Sequence, residues 1–162
     1  MTMPTLRTAT LADLDILLPQ MANFYAHFGY PYHPATQRTV VADFLAHPAW
    51  GELFLIEEAE QLVGYVALTY GFSFELRGRF GLVDELYVSA AARSRGVGRA
   101  ALQFLQQQTR AAGLVALHLQ TEPGNTRAQQ LYESLGFADD GRRNLTWHCD
   151  AAPALPPVGL PE

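Results

Sequence analysis

The hydrophobic period changes twice along this chain, from helical to alternating and back, and few architectures accommodate that order. Thr10 is followed three residues later by Asp13, ahead of Leu14, Ile16, Leu17 and Leu18. This reads as a capping box opening a helix that reaches about Phe28, where Gly29 and Pro31 stop it. Pro34 starts a second helix through Val40, Val41, Phe44 and Leu45, ending near Pro48. The period then drops to two. Leu53 to Ile56 and Leu62 to Tyr70 predict an antiparallel hairpin across the polar Glu57 to Gln61 turn, and a third strand, about Leu82 to Val88, follows Arg77-Gly78-Arg79. Helical spacing returns at Val97, Ala101, Phe104, Leu105 and Gln108 and ends near Gly113. Leu114 to Leu119 reads as a strand. Beyond the Pro123-Gly124-Asn125 break, Ala128, Leu131, Tyr132 and Leu135 line a helix closed by Gly136, and Arg143 to His148 reads as a last strand. The expectation is one α/β (α+β) domain, residues 1–148, with helices around a mixed sheet; four prolines in the last twelve residues make 149–162 a disordered tail.

Composition narrows the function classes. A chain of 162 residues, 49% hydrophobic, buries one good core and is short for two. Apolar runs such as Leu62 to Leu68 are interrupted by Gly64 and fall far short of the ~20 residues that span a bilayer, so no membrane insertion is expected. No secretory signal is visible in Met1 to Arg7, which makes the cytoplasm the expected location. The lone Cys149 excludes an internal disulfide framework and a multi-cysteine metal site, and the five histidines show no paired ligand spacing, so no metal is expected. A net charge of −5 argues against a nucleic-acid partner.

The placement of that charge is more informative than its total. Between Ser89 and Thr121 there is no acidic residue, while Arg93, Arg95, Arg99 and Arg110 make the segment +4 and leave −9 for the rest. All 11 basic residues of the chain are arginine. Within the segment, Arg93-Ser94-Arg95-Gly96-Val97-Gly98-Arg99 lies between a predicted strand and a predicted helix. Glycines there let a ligand approach the backbone, and the helix N-terminus offers free N–H groups, so phosphate or pyrophosphate is the natural guest. A dinucleotide fingerprint also fits Gly96-Val97-Gly98, but it wants the first glycine against the strand end and an acid about 20 residues on. Here Ser89 to Arg95 intervene and Ala116 occupies the acid's place.

Arg93-x-x-Gly96-x-Gly98 resembles the R/Q-x-x-G-x-G/A signature of the GNAT acetyltransferase superfamily. It is preceded by Val83-Asp84-Glu85-Leu86-Tyr87-Val88 and followed by Asn125-x-x-Ala128-x-x-Leu131-Tyr132-x-x-Leu135-Gly136-Phe137, as in that superfamily. The resemblance covers roughly Thr5 to His148. It implies a sheet whose central parallel strands splay apart around acetyl-CoA. The Leu86-Tyr87-Val88 strand would pair with the pantetheine arm, Arg93, Ser94, Arg95, Gly96, Val97, Gly98 and Arg99 would cradle the pyrophosphate, and Asn125 would touch the coenzyme beyond the splay. It also leaves room for a homodimer through the late strands.

The implied reaction is acetyl transfer to an amine. A primary amine with a pKa near 10 is only about one part in a thousand neutral at pH 7, so a proton must be removed, directly or through water. Asp84 and Glu85 are the adjacent candidates; alternation sends them to opposite faces unless the strand is bulged, and both stay open. The resemblance implies that Tyr132 protonates the departing thiolate, and a strand N–H near Leu86 to Val88 suits the thioester oxygen. Tyr25, Phe28 and Tyr30, in the aromatic run Phe24 to His33, could form an acceptor wall or simply core, and Glu75 could hold an ammonium group. The expected function is an acetyl-CoA-dependent N-acetyltransferase acting on an amine, with a small molecule as acceptor. A protein or peptide acceptor, or a non-catalytic acyl-CoA sensor, are the alternatives.

Overall fold

Thr10 and Asp13 form their capping box: the Asp13 carboxylate accepts the Thr10 N–H at 2.8 Å, one 3-10 turn follows, and helix α1 runs Leu14–Phe28 until Gly29 closes it in the left-handed conformation. The same carboxylate accepts two hydrogen bonds from Arg7, at 2.8 and 3.0 Å. Arg7 lies on a strand that the sequence reading did not contain, β1 (Thr5–Thr8). With four mostly exposed residues, β1 has too few alternations to register as a period. A computed structural model of the chain describes residues 3–149, and the rest of the elements follow the predicted order: α2 (Pro34–Ala46), β2 (Gly51–Glu58), β3 (Gln61–Ser73), β4 (Gly78–Val88), α3 (Val97–Ala111), β5 (Ala116–Leu119) and α4 (Thr126–Ser134). Among these residues no helix is long and apolar enough to cross a membrane.

The five strands form one mixed sheet in the order β1-β2-β3-β4-β5. The first four pair antiparallel, and β5 joins β4 in parallel. Alternation divides its core in two. Leu53, Leu55, Tyr65 and Tyr87 pack under Leu17 and Met21 of α1 and Val41 of α2. Phe54, Val66, Leu68 and Val83 pack over Leu102 and Leu105 of α3, with Leu131 and Tyr132 of α4 beside them. The domain is thus a sheet between two helical layers, the mixed α/β arrangement expected.

Two expectations fail here. Arg143 to His148 forms no strand: Leu145 is 93% and Trp147 85% exposed, so the alternating apolar side chains have no surface to cover and nothing drives the segment onto the β5 edge. Strict alternation in β4 fails as well. Leu68 pairs with Val83 and Ala67 with Glu85, so Asp84 is an extra residue, a β-bulge. The proposed tail lies, from residue 150 on, outside the described residues; Cys149 is exposed.

Candidate active site

β4 changes neighbours half-way along. Phe80 to Val83 pair with β5 on one side and β3 on the other; from Asp84 onward only β3 remains. Ladder alternation decides which backbone groups this frees. The Ser89 N–H donates to the Val63 carbonyl at 2.8 Å, so Tyr87 and Glu85 also bond towards β3, and Leu86 and Val88 turn their N–H and C=O groups to the open edge. Arg93 Nε reaches the Val88 carbonyl from that side, at 2.9 Å.

The diverging strands enclose a cavity of about 400 Å³. Phe24, Tyr25, Phe28 and Tyr30 of the α1 layer line one side; Leu102, Asn125 and Tyr132 of the α3–α4 layer line the other. Val83, Asp84, Glu85 and Leu86 face it from β4, and Gln120, Thr121 and Glu122 from the chain leaving β5. The cavity is therefore a slot through the sheet, joining the two helical layers.

Beyond the open edge the chain makes an anion cradle. Ser94 and Gly96 take left-handed φ angles of 65° and 84°, and α3 begins immediately afterwards. A side chain at Gly96 would project into open space, with no atom within 4 Å of its Cβ, so the approach to the helix N-terminus is unobstructed. Two contacts hold the loop: Arg95 pairs with the buried Glu58 at 2.8 Å, and Arg127 of α4 donates to Ser94 Oγ at 2.8 Å.

The model of the acetyltransferase (GNAT) family matches residues 18–137. The chain belongs to that family. An integron cassette protein from the mobile metagenome of Cole Harbour Salt Marsh superposes with a TM-score of 0.82 at 33% identity, covering 93% of this chain and 92% of that one. A protein described as a probable acetyltransferase gives 0.82 at 27%, covering 91% and 99%. Among curated relatives, the uncharacterized N-acetyltransferase YhfO of Bacillus subtilis is 31% identical over 54% of this chain and 59% of its own length. The chain spans between 34% and 59% of the curated relatives it matches.

On this GNAT chain the slot gathers most of the residues singled out in sequence. Tyr25, Phe28, Tyr30, Asp84, Glu85, Leu86, Asn125 and Tyr132 all line it. The bulge brings both carboxylates to the slot instead of sending one away. The aromatic run divides: Tyr32 donates to the Leu18 carbonyl at 3.1 Å beside the core, while Phe28 is 41% exposed. Asn125 caps α4, its Oδ1 accepting the Ala128 N–H at 3.2 Å, and Tyr132 stands two turns along the helix. Glu75 is elsewhere. It is held bidentately by Arg142 on an exposed hairpin tip and does not line the slot. Arg95 is paired with Glu58, whereas Arg99 keeps its full charge, one of its N–H groups donating to the neutral Ser134 Oγ.

Burial shapes the electrostatics. Glu85 is raised above the usual carboxylate range by desolvation and by neighbouring Asp84, against the hydrogen bond donated by Tyr65 at 2.8 Å. Asp84 is more exposed, but the slot walls strip enough water from it to raise its carboxyl too. Desolvation likewise raises Tyr132, keeping its hydroxyl protonated. The sequence reading missed Glu122. A usable signal existed, because it follows the carboxyl end of a parallel strand just before Asn125, where open α/β sheets place ligands.

Proposed function

We propose that this chain is an acetyl-CoA-dependent N-acetyltransferase whose acceptor is the amine of a small molecule. One observation carries the reading: the unpaired edge of β4 runs from the two carboxylates that line the slot to an unobstructed helix N-terminus, so a strand-like thioester and its pyrophosphate find matching partners in one line. The fit to the coenzyme rests on Leu86 and Val88 at the edge and on the open cradle at Gly96. Bound acetyl-CoA supplies an activated acetyl thioester. Ser94 to Gly98 hold its phosphates, Leu86 offers an N–H to the thioester oxygen, and the aromatic wall of α1 receives the acceptor.

Glu85 is assigned as the base. Tyr65 holds its carboxylate in place, whereas Asp84 makes no hydrogen bond to another side chain among the described residues. Glu85 takes the proton an ammonium acceptor must lose, directly or through water, and Tyr132 gives a proton to the sulfur as the thiolate departs. The two reach the slot from opposite layers, Glu85 from the α1 face and Tyr132 from the α4 face, which separates the proton's exit from its return. The size of the slot favours a small acceptor over a protein segment.

Thiol release from acetyl-CoA with a panel of amines tests the reading. Turnover with at least one amine is expected, and Tyr132→Phe should lower kcat by roughly 100-fold with little change in coenzyme affinity. Coenzyme binding without thiol release from any amine would instead establish a sensor.

A further inference from the structure

We propose that Tyr65, on the far side of the sheet's core from solvent, is a positioning residue for Glu85: its hydroxyl fixes the carboxylate's place and charge state. The inference rests on the assignment of Glu85 as the base. Tyr65 is fully buried, with its ring centroid 6.0 Å from that of Tyr87 and 6.3 Å from that of Phe24, so packing leaves it little freedom to turn. Its hydroxyl meets Glu85 Oε2 at 2.8 Å and has no second side-chain partner among the described residues. The strand register creates this contact. Ala67 stands opposite Glu85, Tyr65 lies two residues along on the same face, and the bulge at Asp84 turns Glu85 towards that face.

Packing alone asks only for an aromatic ring at this position, since phenylalanine fills the same volume. The hydroxyl is needed for something else. Glu85 faces Asp84 on its own strand, Tyr65 from β3 and Tyr25 from α1, with Glu122 across the slot and no arginine among the lining residues. Burial and the neighbouring Asp84 carboxylate therefore work against its charge. The Tyr65 hydroxyl is a rigid donor to Oε2 that works for it, with Tyr25 from α1 favouring the charged form in the same direction. The hold is mutual: were Glu85 to swing away, the phenol would be stranded without a partner in the core.

Removing the hydroxyl should raise the pKa of Glu85 by about one unit. A carboxylic NMR titration of glutamate-labelled free protein reads this directly, comparing wild type with Tyr65→Phe. The acid limb of kcat/KM for acetyl-CoA should move upward by the same amount, measured with the fastest of benzylamine, 1,4-diaminobutane and glycinamide. Tyr70→Phe breaks a comparable bond, Tyr70 to Glu52 at 2.7 Å, and should move neither. Should Glu85 titrate at the same pH in Tyr65→Phe and wild type, the inference is overturned, whatever happens to melting temperature. Full activity in Glu85→Gln would sink the base assignment instead, while the titration still decides whether Tyr65 governs the carboxyl.

Discussion

At the scale of single residues, the cost of function is concentrated on Glu85. Its folded pKa is raised, so between the ordinary carboxylate range and that raised value the folded protein binds more protons than the unfolded chain, and stability falls as pH rises through this window. The penalty is complete above the raised value. Glu85→Gln keeps an oxygen for the Tyr65 hydroxyl and removes the charge, so it should raise Tm by roughly 2–4 °C while abolishing most turnover; calorimetry and a thiol assay on one preparation check both. Asp13 is the opposite case. Arg7 and the Thr10 N–H hold it down to about 2, so the stability it contributes is present above the usual aspartate pKa and is lost only as pH falls through about 2. Both carboxylates were noticed in sequence, but their environments were not. The Thr10–Asp13 spacing is local and announces itself. The Tyr65–Glu85 contact depends on a register between strands twenty residues apart, and in sequence Tyr65 is one more aromatic in an apolar strand.

At the scale of elements, the long amphipathic segments were readable because each carries several periods of its pattern: α1, α2 and α3 begin and end within a few residues of their predicted limits. What escaped has a physical reason in each case. β1 is too short to show a period, and Arg143 to His148 alternates correctly but finds no surface to bury against. A bulge changes the pairing of two strands while leaving the composition of either untouched. The loop before α3 was correctly placed, yet the work of its arginines was not separable in sequence. Arg95 is structural, because Glu58 beneath it is buried and would be left without its partner. Arg95→Ala should therefore destabilise the fold by about 1–2 kcal/mol, allowing for the half-exposed guanidinium, and Glu58→Gln in the same chain should restore most of it. Urea denaturation of the single and double variants measures the difference.

At the scale of the whole molecule, three acidic residues, Asp84, Glu85 and Glu122, line the slot, while Arg93, Arg95 and Arg99 of the +4 segment flank the start of α3. A coenzyme that bridges the cradle and the open β4 edge should stiffen both. At 100 times its dissociation constant, acetyl-CoA should add about 2.7 kcal/mol, raising Tm by roughly 5–10 °C, and NAD at the same concentration should leave it unchanged. A thermal-shift series distinguishes the two. The arginine-only composition adds a simple control: with no lysine in 162 residues, prolonged exposure to acetyl-CoA has no side-chain amine on the protein to modify.

The bulge at Asp84 works as a phase shift in the chain. Before it, odd-numbered β4 residues such as Gly81 and Val83 look towards α3; after it, the odd-numbered Glu85 and Tyr87 look towards α1. Losing that single residue would remove one slot carboxylate and the local kink but leave Val83 towards α3 and Glu85 towards α1, because consecutive residues of a regular strand also face opposite ways. Within β4, deleting a regularly paired residue on either side of the bulge is thus a greater change than losing Asp84 itself, because it turns one part of the strand over relative to the other.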